Sequence, residues 1–232
     1  MHVNRLVVTV EATHQSLLQR LETATQTAVR RSRPRDRYSR TDAFMAATSR
    51  HLAAVEEVLL PAARRRLSDG EARVREYLHQ ARLLELAIAV LKARLYGAVA
   101  ASHIPWEEVW GDARRALTRH NELELLLVAD LVAAVEEDES DALADAVYRA
   151  EVKAPTRSHP YLPHRGLVGL MARRIWAVAD RFWDTAESRT VPQPVRPPSK
   201  EHAHDSLVAQ YFVGEPMFDP NAPVFSHRRH HS

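Results

Sequence analysis

The chain has 232 residues, of which 45% are hydrophobic and only 6 are glycine, and it contains no cysteine. The lack of thiols excludes disulfides, iron–sulfur clusters, thiolate zinc sites and cysteine nucleophiles. The 32 basic and 30 acidic residues nearly balance, so we do not expect nucleic acid as a partner. No apolar run is long enough to cross a membrane, and the amino terminus lacks a secretory pattern, so we expect a cytoplasmic protein.

Helix-capping and helix-breaking residues divide the chain into helical segments. The sequence predicts four long helices over about residues 7–30, 39–67, 68–97 and 105–135, and two later helices over about 140–151 and 166–188. The scarcity of glycine and of β-branched runs argues against strands. We therefore predict an all-α fold. It comprises an antiparallel up-down-up-down four-helix bundle (residues 1–138), a helical extension packed on the bundle (139–190) and a Pro/His-rich flexible tail (191–232).

Each of the four long predicted helices carries one histidine on its apolar side. These residues are His14, His51, His79 and His120. In the third helix the predicted inward stripe is Ala72, His79, Leu83, Leu86 and Val90. The sequence midpoint of each successive histidine pair falls near a predicted turn, so in an antiparallel bundle the four imidazoles would lie in one layer.

Four imidazoles in one layer favour a metal site over ordinary core histidines. A lone buried histidine is usually satisfied by a backbone carbonyl or a water molecule. Four neutral imidazoles packed together would leave several ring nitrogens unpaired, at a cost of ~1–3 kcal/mol each. A bound cation satisfies them together, so the pattern predicts a metal site.

Four segments around these histidines resemble a known family. They are THQSLLQRLE, HLAAVEEVLLP, YLHQARLLEL and HNELE. Together they resemble the hemerythrin-like domain, also called the HHE cation-binding domain, whose pattern is a His, a His-x-x-x-Glu, a His and a second His-x-x-x-Glu. The later stretch APTRSHPYLPHRG resembles the extension found in actinobacterial members.

The resemblance implies a non-haem di-iron centre with histidine ligands, bridging carboxylates and an open position for a small ligand. Transferred to this chain, it implies His14, His51, His79 and His120 as terminal ligands and Glu124 as a bridging ligand. Imidazole and carboxylate suit several first-row transition metals, so the choice of iron comes from the resemblance.

One position departs from the family pattern. Val55 stands four residues after His51, where the family has its first glutamate. Glu56 follows one residue later and is rotated away from His51, so it would reach inward only through a local helix distortion. Hemerythrins proper use a five-residue His-to-Asp spacing in one helix, which keeps Glu56 as a candidate ligand.

The sequence leaves more than one function open. The favoured one is reversible iron binding with dioxygen, peroxide or nitric oxide as the small ligand, for binding or sensing. Peroxide disproportionation, a catalase-like activity, is also open, because no dedicated acid or base separates an enzyme from a carrier. The alternatives are a mononuclear or zinc-bound site, and a metal-free bundle that acts as a protein-interaction module. Such a module would bind an acidic partner through the Arg-rich segment over residues 30–40 or through the basic tail.

Overall fold

The computed structural model describes residues 4–27, 35–154 and 192–199. Within these ranges the chain forms five α-helices and no strand, with a short 3-10 helix at Val99–Ala101. The α-helices are α1 (Arg5–Gln26), α2 (Arg35–Arg66), α3 (Gly70–Leu95), α4 (Trp106–Ala134) and α5 (Glu137–Lys153). The all-α prediction is confirmed for this part of the chain, while the predicted helix over 166–188 lies outside it. None of the described helices combines the length and the apolar character that a membrane crossing needs.

Local sequence explains where three of the helices begin or end. Asn4 caps α1, because its side-chain oxygen accepts hydrogen bonds from the backbone N–H groups of the first turn. The sequence predicts the fifth helix from about residue 140, but α5 begins at Glu137, and its first turn holds the acidic residues Glu137, Asp138 and Glu139. Negative charge is favourable there, next to the positive end of the helix dipole. Beyond the end of α3, Gly97 has a φ of 74°, which glycine adopts without steric cost.

The four long helices enclose one apolar core. Contacts join α1 to α2, α2 to α3, α3 to α4, and α4 back to α1. Large side chains from all four helices are fully buried in it, including Leu17, Leu21, Phe44, Leu59, Leu84, Ile88, Leu117 and Leu131. The fifth helix, α5, packs mainly on α2 and also contacts α1. Burial of these apolar faces is the main favourable contribution to folding.

The inward faces predicted for α1, α2 and α4 are confirmed at their histidines, but the face predicted for α3 is wrong. His79 is exposed, and Leu83, Leu86 and Val90 are 43%, 39% and 39% exposed. The buried apolar face of α3 is instead Val74, Tyr77, Ala81, Leu84, Ile88, Leu91 and Leu95. This second stripe is longer and carries larger apolar side chains, so its burial removes more apolar surface from water.

Residues 192–199 lie against the helices, although the sequence predicts a flexible tail from residue 191. The carbonyl oxygen of Pro192 accepts a hydrogen bond from Nη1 of Arg50 at 2.8 Å. Arg5 donates from Nε to the carbonyl oxygen of Pro198, and its Nη2 pairs with Asp145 of α5 at 2.7 Å. Two buried arginines therefore tie this segment and α5 to the long helices.

Candidate metal centre

Four buried side chains from three helices converge in the core. His14 comes from α1, His51 from α2, and His120 and Glu124 from α4, and their exposed fractions are 4%, 1%, 0% and 0%. The imidazole centroids lie 5.3 Å apart for His14 and His51, 6.0 Å for His51 and His120, and 6.4 Å for His14 and His120. Three of the four predicted histidines therefore share one layer.

One carboxylate oxygen is the focus of this group. Oε2 of Glu124 lies 2.9 Å from Nε2 of His51, 3.1 Å from Nε2 of His120 and 3.4 Å from Nε2 of His14. His120 and Glu124 are four residues apart on α4, which places both on one face of that helix. Ligand atoms of His14, His51 and Glu124 all lie within 4.8 Å of one another, so this buried group could hold a metal ion.

Several polar atoms of the group have no hydrogen-bond partner among the described residues. They are both ring nitrogens of His14, Nδ1 of His120 and Oε1 of Glu124. The His14 ring is close to Glu124 but is not oriented to donate a hydrogen bond to it. Buried polar atoms left unpaired cost ~1–3 kcal/mol each. A cation bound to the Glu124 carboxylate would also take up the lone pair of Nε2 of His14, whereas Nδ1 of His14 and of His120 would gain no partner from it.

The neighbouring carboxylates determine which histidines of the metal-free site carry a charge. Burial alone would raise the pKa of Glu124, but His51 and His14 hold it well below its usual value. Burial alone would lower the pKa of His51, but Glu124 and Glu151 raise it to about 10. Burial lowers the pKa of His120, and Glu124 offsets this effect only in part. Without metal, His51 is therefore an imidazolium between two carboxylates, and His120 is neutral.

Tyr77 takes the place on α3 that sequence reasoning gave to a histidine. Its hydroxyl oxygen lies 3.5 Å from Nε2 of His120, and the two ring centroids are 5.1 Å apart. Burial, followed by the negative charge of Glu124, raises the pKa of Tyr77 well above its ordinary value, so the phenol stays neutral. The uninterrupted apolar stripe between Val74 and Leu95 was the sequence signal that could have identified this residue.

Two sequence-predicted ligands lie outside the converging group. His79 is exposed on α3. Glu56 is half-buried on α2 and acts electrostatically on Tyr77, but its carboxylate is not among the converging ligand atoms. Val55 is fully buried, so an apolar side chain occupies the position of the first glutamate in the family pattern. The described residues therefore supply one metal-ligand set.

Glu151 is a site residue that sequence reasoning missed. This side chain on α5 is 4% exposed, and its Oε1 lies 2.9 Å from Nδ1 of His51. Its position depends on how α5 docks against α2, and no local motif in the sequence indicates that docking.

Comparisons with known proteins do not place this chain in a family. No family description, no curated protein and no solved structure matches it.

Proposed function

We propose that this protein binds one first-row transition-metal ion, with iron favoured, in the core of an antiparallel four-helix bundle formed by α1 to α4. The metal would bind dioxygen, peroxide or nitric oxide as its small ligand. One observation carries the proposal. Three imidazole nitrogens lie 2.9 to 3.4 Å from a single oxygen of a fully buried carboxylate.

The ligand atoms of His14, His51 and Glu124 all lie within 4.8 Å of one another, a spacing that suits one metal ion, while His120 lies 3.1 Å from the same carboxylate oxygen but outside that group. With metal–ligand bonds of about 2.1 Å, neighbouring ligand atoms lie about 3.0 Å apart in an octahedral site and about 3.4 Å apart in a tetrahedral one. The three distances to Oε2 of Glu124 fall in the range from 2.9 to 3.4 Å. Imidazole and carboxylate ligands accept iron, zinc and their neighbours, so the preference for iron rests on the resemblance to hemerythrin-like proteins.

The antiparallel arrangement is supported by the order of contacts between helices. Between α3 and α4, Arg73 pairs with Asp130, Tyr77 contacts His120, and Gln80 donates to the carbonyl of Ala116. Along these three contacts the residue numbers rise on α3 and fall on α4, as they do in antiparallel neighbours. Only residues 67–69 connect α2 to α3, too few to return along a helix of that length.

A metal-free core is the competing interpretation, and it explains only part of the site. It accounts for His51, because each of its ring nitrogens has a carboxylate partner. It leaves both nitrogens of His14 and Oε1 of Glu124 unpaired among the described residues. Metal binding is favoured because it uses Nε2 of His14, which this interpretation leaves without a partner.

One metal position is favoured over the two that the family resemblance implies. In the resemblance, a second ion would use a carboxylate on α2, but Val55 is a buried apolar side chain and the carboxylate of Glu56 lies outside the group of ligand atoms. That ion also needs the α3 histidine, and His79 is exposed. An anionic bridge offsets the repulsion between two close cations, so its absence disfavours a second ion.

Protein side chains define how a small ligand would be received. Bound iron would supply an open coordination position for that ligand. The neutral hydroxyl of Tyr77 is a hydrogen-bond donor beside His120. Complete burial of His120 and Glu124 keeps bulk water away, which favours a diatomic molecule or peroxide over a larger substrate.

The histidines of α3 and α4 provide a matched pair of variants. His120→Ala should lower the iron content at least about tenfold, because it removes a ligand from the converging group. His79→Ala should leave one iron per chain, because His79 is exposed. The measurement is elemental analysis of protein made without a His tag, loaded anaerobically with Fe²⁺ and desalted, with circular dichroism as the check on folding. Full iron content in folded His120→Ala, or its loss in His79→Ala, would contradict the proposed ligand set.

A further inference from the structure

The three histidines of the metal centre differ in how their outer ring nitrogens are held. Nδ1 of His51 lies 2.9 Å from Oε1 of Glu151. The corresponding nitrogens of His14 and His120 have no partner in the described part of the chain. Among the described residues, His51 is therefore the one imidazole of the three whose Nδ1 is held by a charged side chain.

Glu151 is itself held in place by the residue next to His51. Nε of Arg50 donates to the backbone carbonyl of Glu151 at 2.8 Å, and Nη1 of the same guanidinium donates to the carbonyl of Pro192. The arginine is 7% exposed and Glu151 is 4% exposed, so these contacts lie away from water. Arg50 and His51, which are adjacent on α2, therefore both contact Glu151 of α5. Arg50 binds its backbone carbonyl, and His51 binds its carboxylate.

We propose that Glu151 is the positioning residue of the metal centre and that α5 is therefore a functional part of it. By accepting the Nδ1–H of His51, Glu151 selects the tautomer whose Nε2 lone pair points to the metal and restricts rotation of the ring. A carboxylate behind a metal-bound imidazole acts in this way in many metal sites. The inference rests on the proposed function, because it assigns a role toward the same metal ion.

The test compares substitutions that keep or remove the hydrogen-bond acceptor. Glu151→Gln retains an oxygen that accepts the Nδ1–H, whereas Glu151→Met has a similar length and lacks that acceptor. Glu139→Ala is the control, since Glu139 lies on the same helix in a surface ion pair with Arg66. The probe is Co²⁺. Its dissociation constant is measured by chelator competition, and its ligand geometry is reported by the visible absorption spectrum.

The expected results depend on whether the side chain at position 151 can accept the Nδ1–H of His51. Glu151→Met should weaken Co²⁺ binding about 10- to 100-fold and alter the visible spectrum. Glu151→Gln should restore the wild-type spectrum and most of the affinity, and Glu139→Ala should match the wild type. A purely structural role would lower the thermal stability of both Glu151 variants without separating their cobalt spectra.

Three outcomes would overturn the inference. If the wild-type protein binds no Co²⁺, the proposed function fails and the inference fails with it. If the wild type binds and folded Glu151→Met binds equally well with the same spectrum, the inference alone is wrong. If Glu151→Met does not fold, Glu151→Asp draws the acceptor back by one methylene, and unchanged Co²⁺ affinity and spectrum in that variant would overturn the inference.

Discussion

Replacing Glu124 by alanine should abolish metal binding. Oε2 of this residue is the atom on which the three imidazoles converge, and it supplies the negative charge among them. Without it, a cation would meet only neutral nitrogens and the positive charge of His51. We expect the metal affinity to fall by at least about 100-fold, beyond the effect of losing a residue that only supports a ligand.

The same substitution should also destabilise the metal-free protein. His51 would keep its positive charge with Glu151 as its remaining close carboxylate, and its other nitrogen would lose its partner. Removing one member of a buried ion pair costs about 3–5 kcal/mol. Urea unfolding of the metal-free protein measures this loss of stability. Metal titration followed by elemental analysis measures the loss of metal affinity.

Two further variants control the Glu124 experiment. Glu122→Ala removes an exposed carboxylate two residues away, which pairs with Arg119 on the surface. It should change neither the metal affinity nor the stability of the metal-free protein. Glu124→Gln keeps the shape and an acceptor oxygen but removes the charge, so it should fold better than Glu124→Ala and still bind metal poorly. Wild-type affinity in Glu124→Gln would contradict the role of the carboxylate.

The stability of the metal-free protein and its affinity for metal should change in opposite directions as the pH rises. The pKa of His51 is raised from 6.5 to about 10 in the folded state, so the stability that this charge contributes is fully present below about pH 6.5. It is lost as the pH rises through about 10. We therefore expect the urea midpoint of the metal-free protein to fall steadily above pH 6.5.

Metal binding has the opposite dependence because it needs Nε2 of His51 without its proton. Below the pKa of His51, each bound ion displaces about one proton from this ring, so the apparent affinity should rise about tenfold per pH unit. Competition titrations between pH 6 and 8 measure this slope, and calorimetry in two buffers counts the protons released. Glu124 stays ionised in this range because its pKa lies well below 4.5. An affinity independent of pH would contradict the assignment of His51 as a ligand.

Much of the site was predictable from sequence where a helix has only one apolar face. On α1, α2 and α4, the apolar stripe that contains the histidine is the face that the structure buries, and His14, His51 and His120 meet as expected. On α3 two apolar stripes compete, one with His79 and one with Tyr77. We predicted that the stripe with His79 faces the core, but the structure buries the stripe with the larger apolar side chains.

The contribution of α5 could not be predicted from local patterns. Glu151 lies in an ordinary amphipathic helix, and its role arises from contacts with Arg50 and His51, which precede it by 101 and 100 residues. Such long-range pairs depend on how elements dock, and helical periodicity does not specify that. The start of α5 was predicted too late for a different reason, because the acidic residues Glu137, Asp138 and Glu139 stabilise the first turn of the helix.

The most direct measurement is the position of the metal in a crystal of the iron-loaded, tag-free protein, located by anomalous diffraction at the iron edge. We predict one peak per chain, within about 2.0–2.2 Å of Nε2 of His14, His51 and His120 and of the carboxylate of Glu124. A chain with no peak at this position, or with its iron bound by other residues, would contradict the central claim that these four side chains form the metal centre.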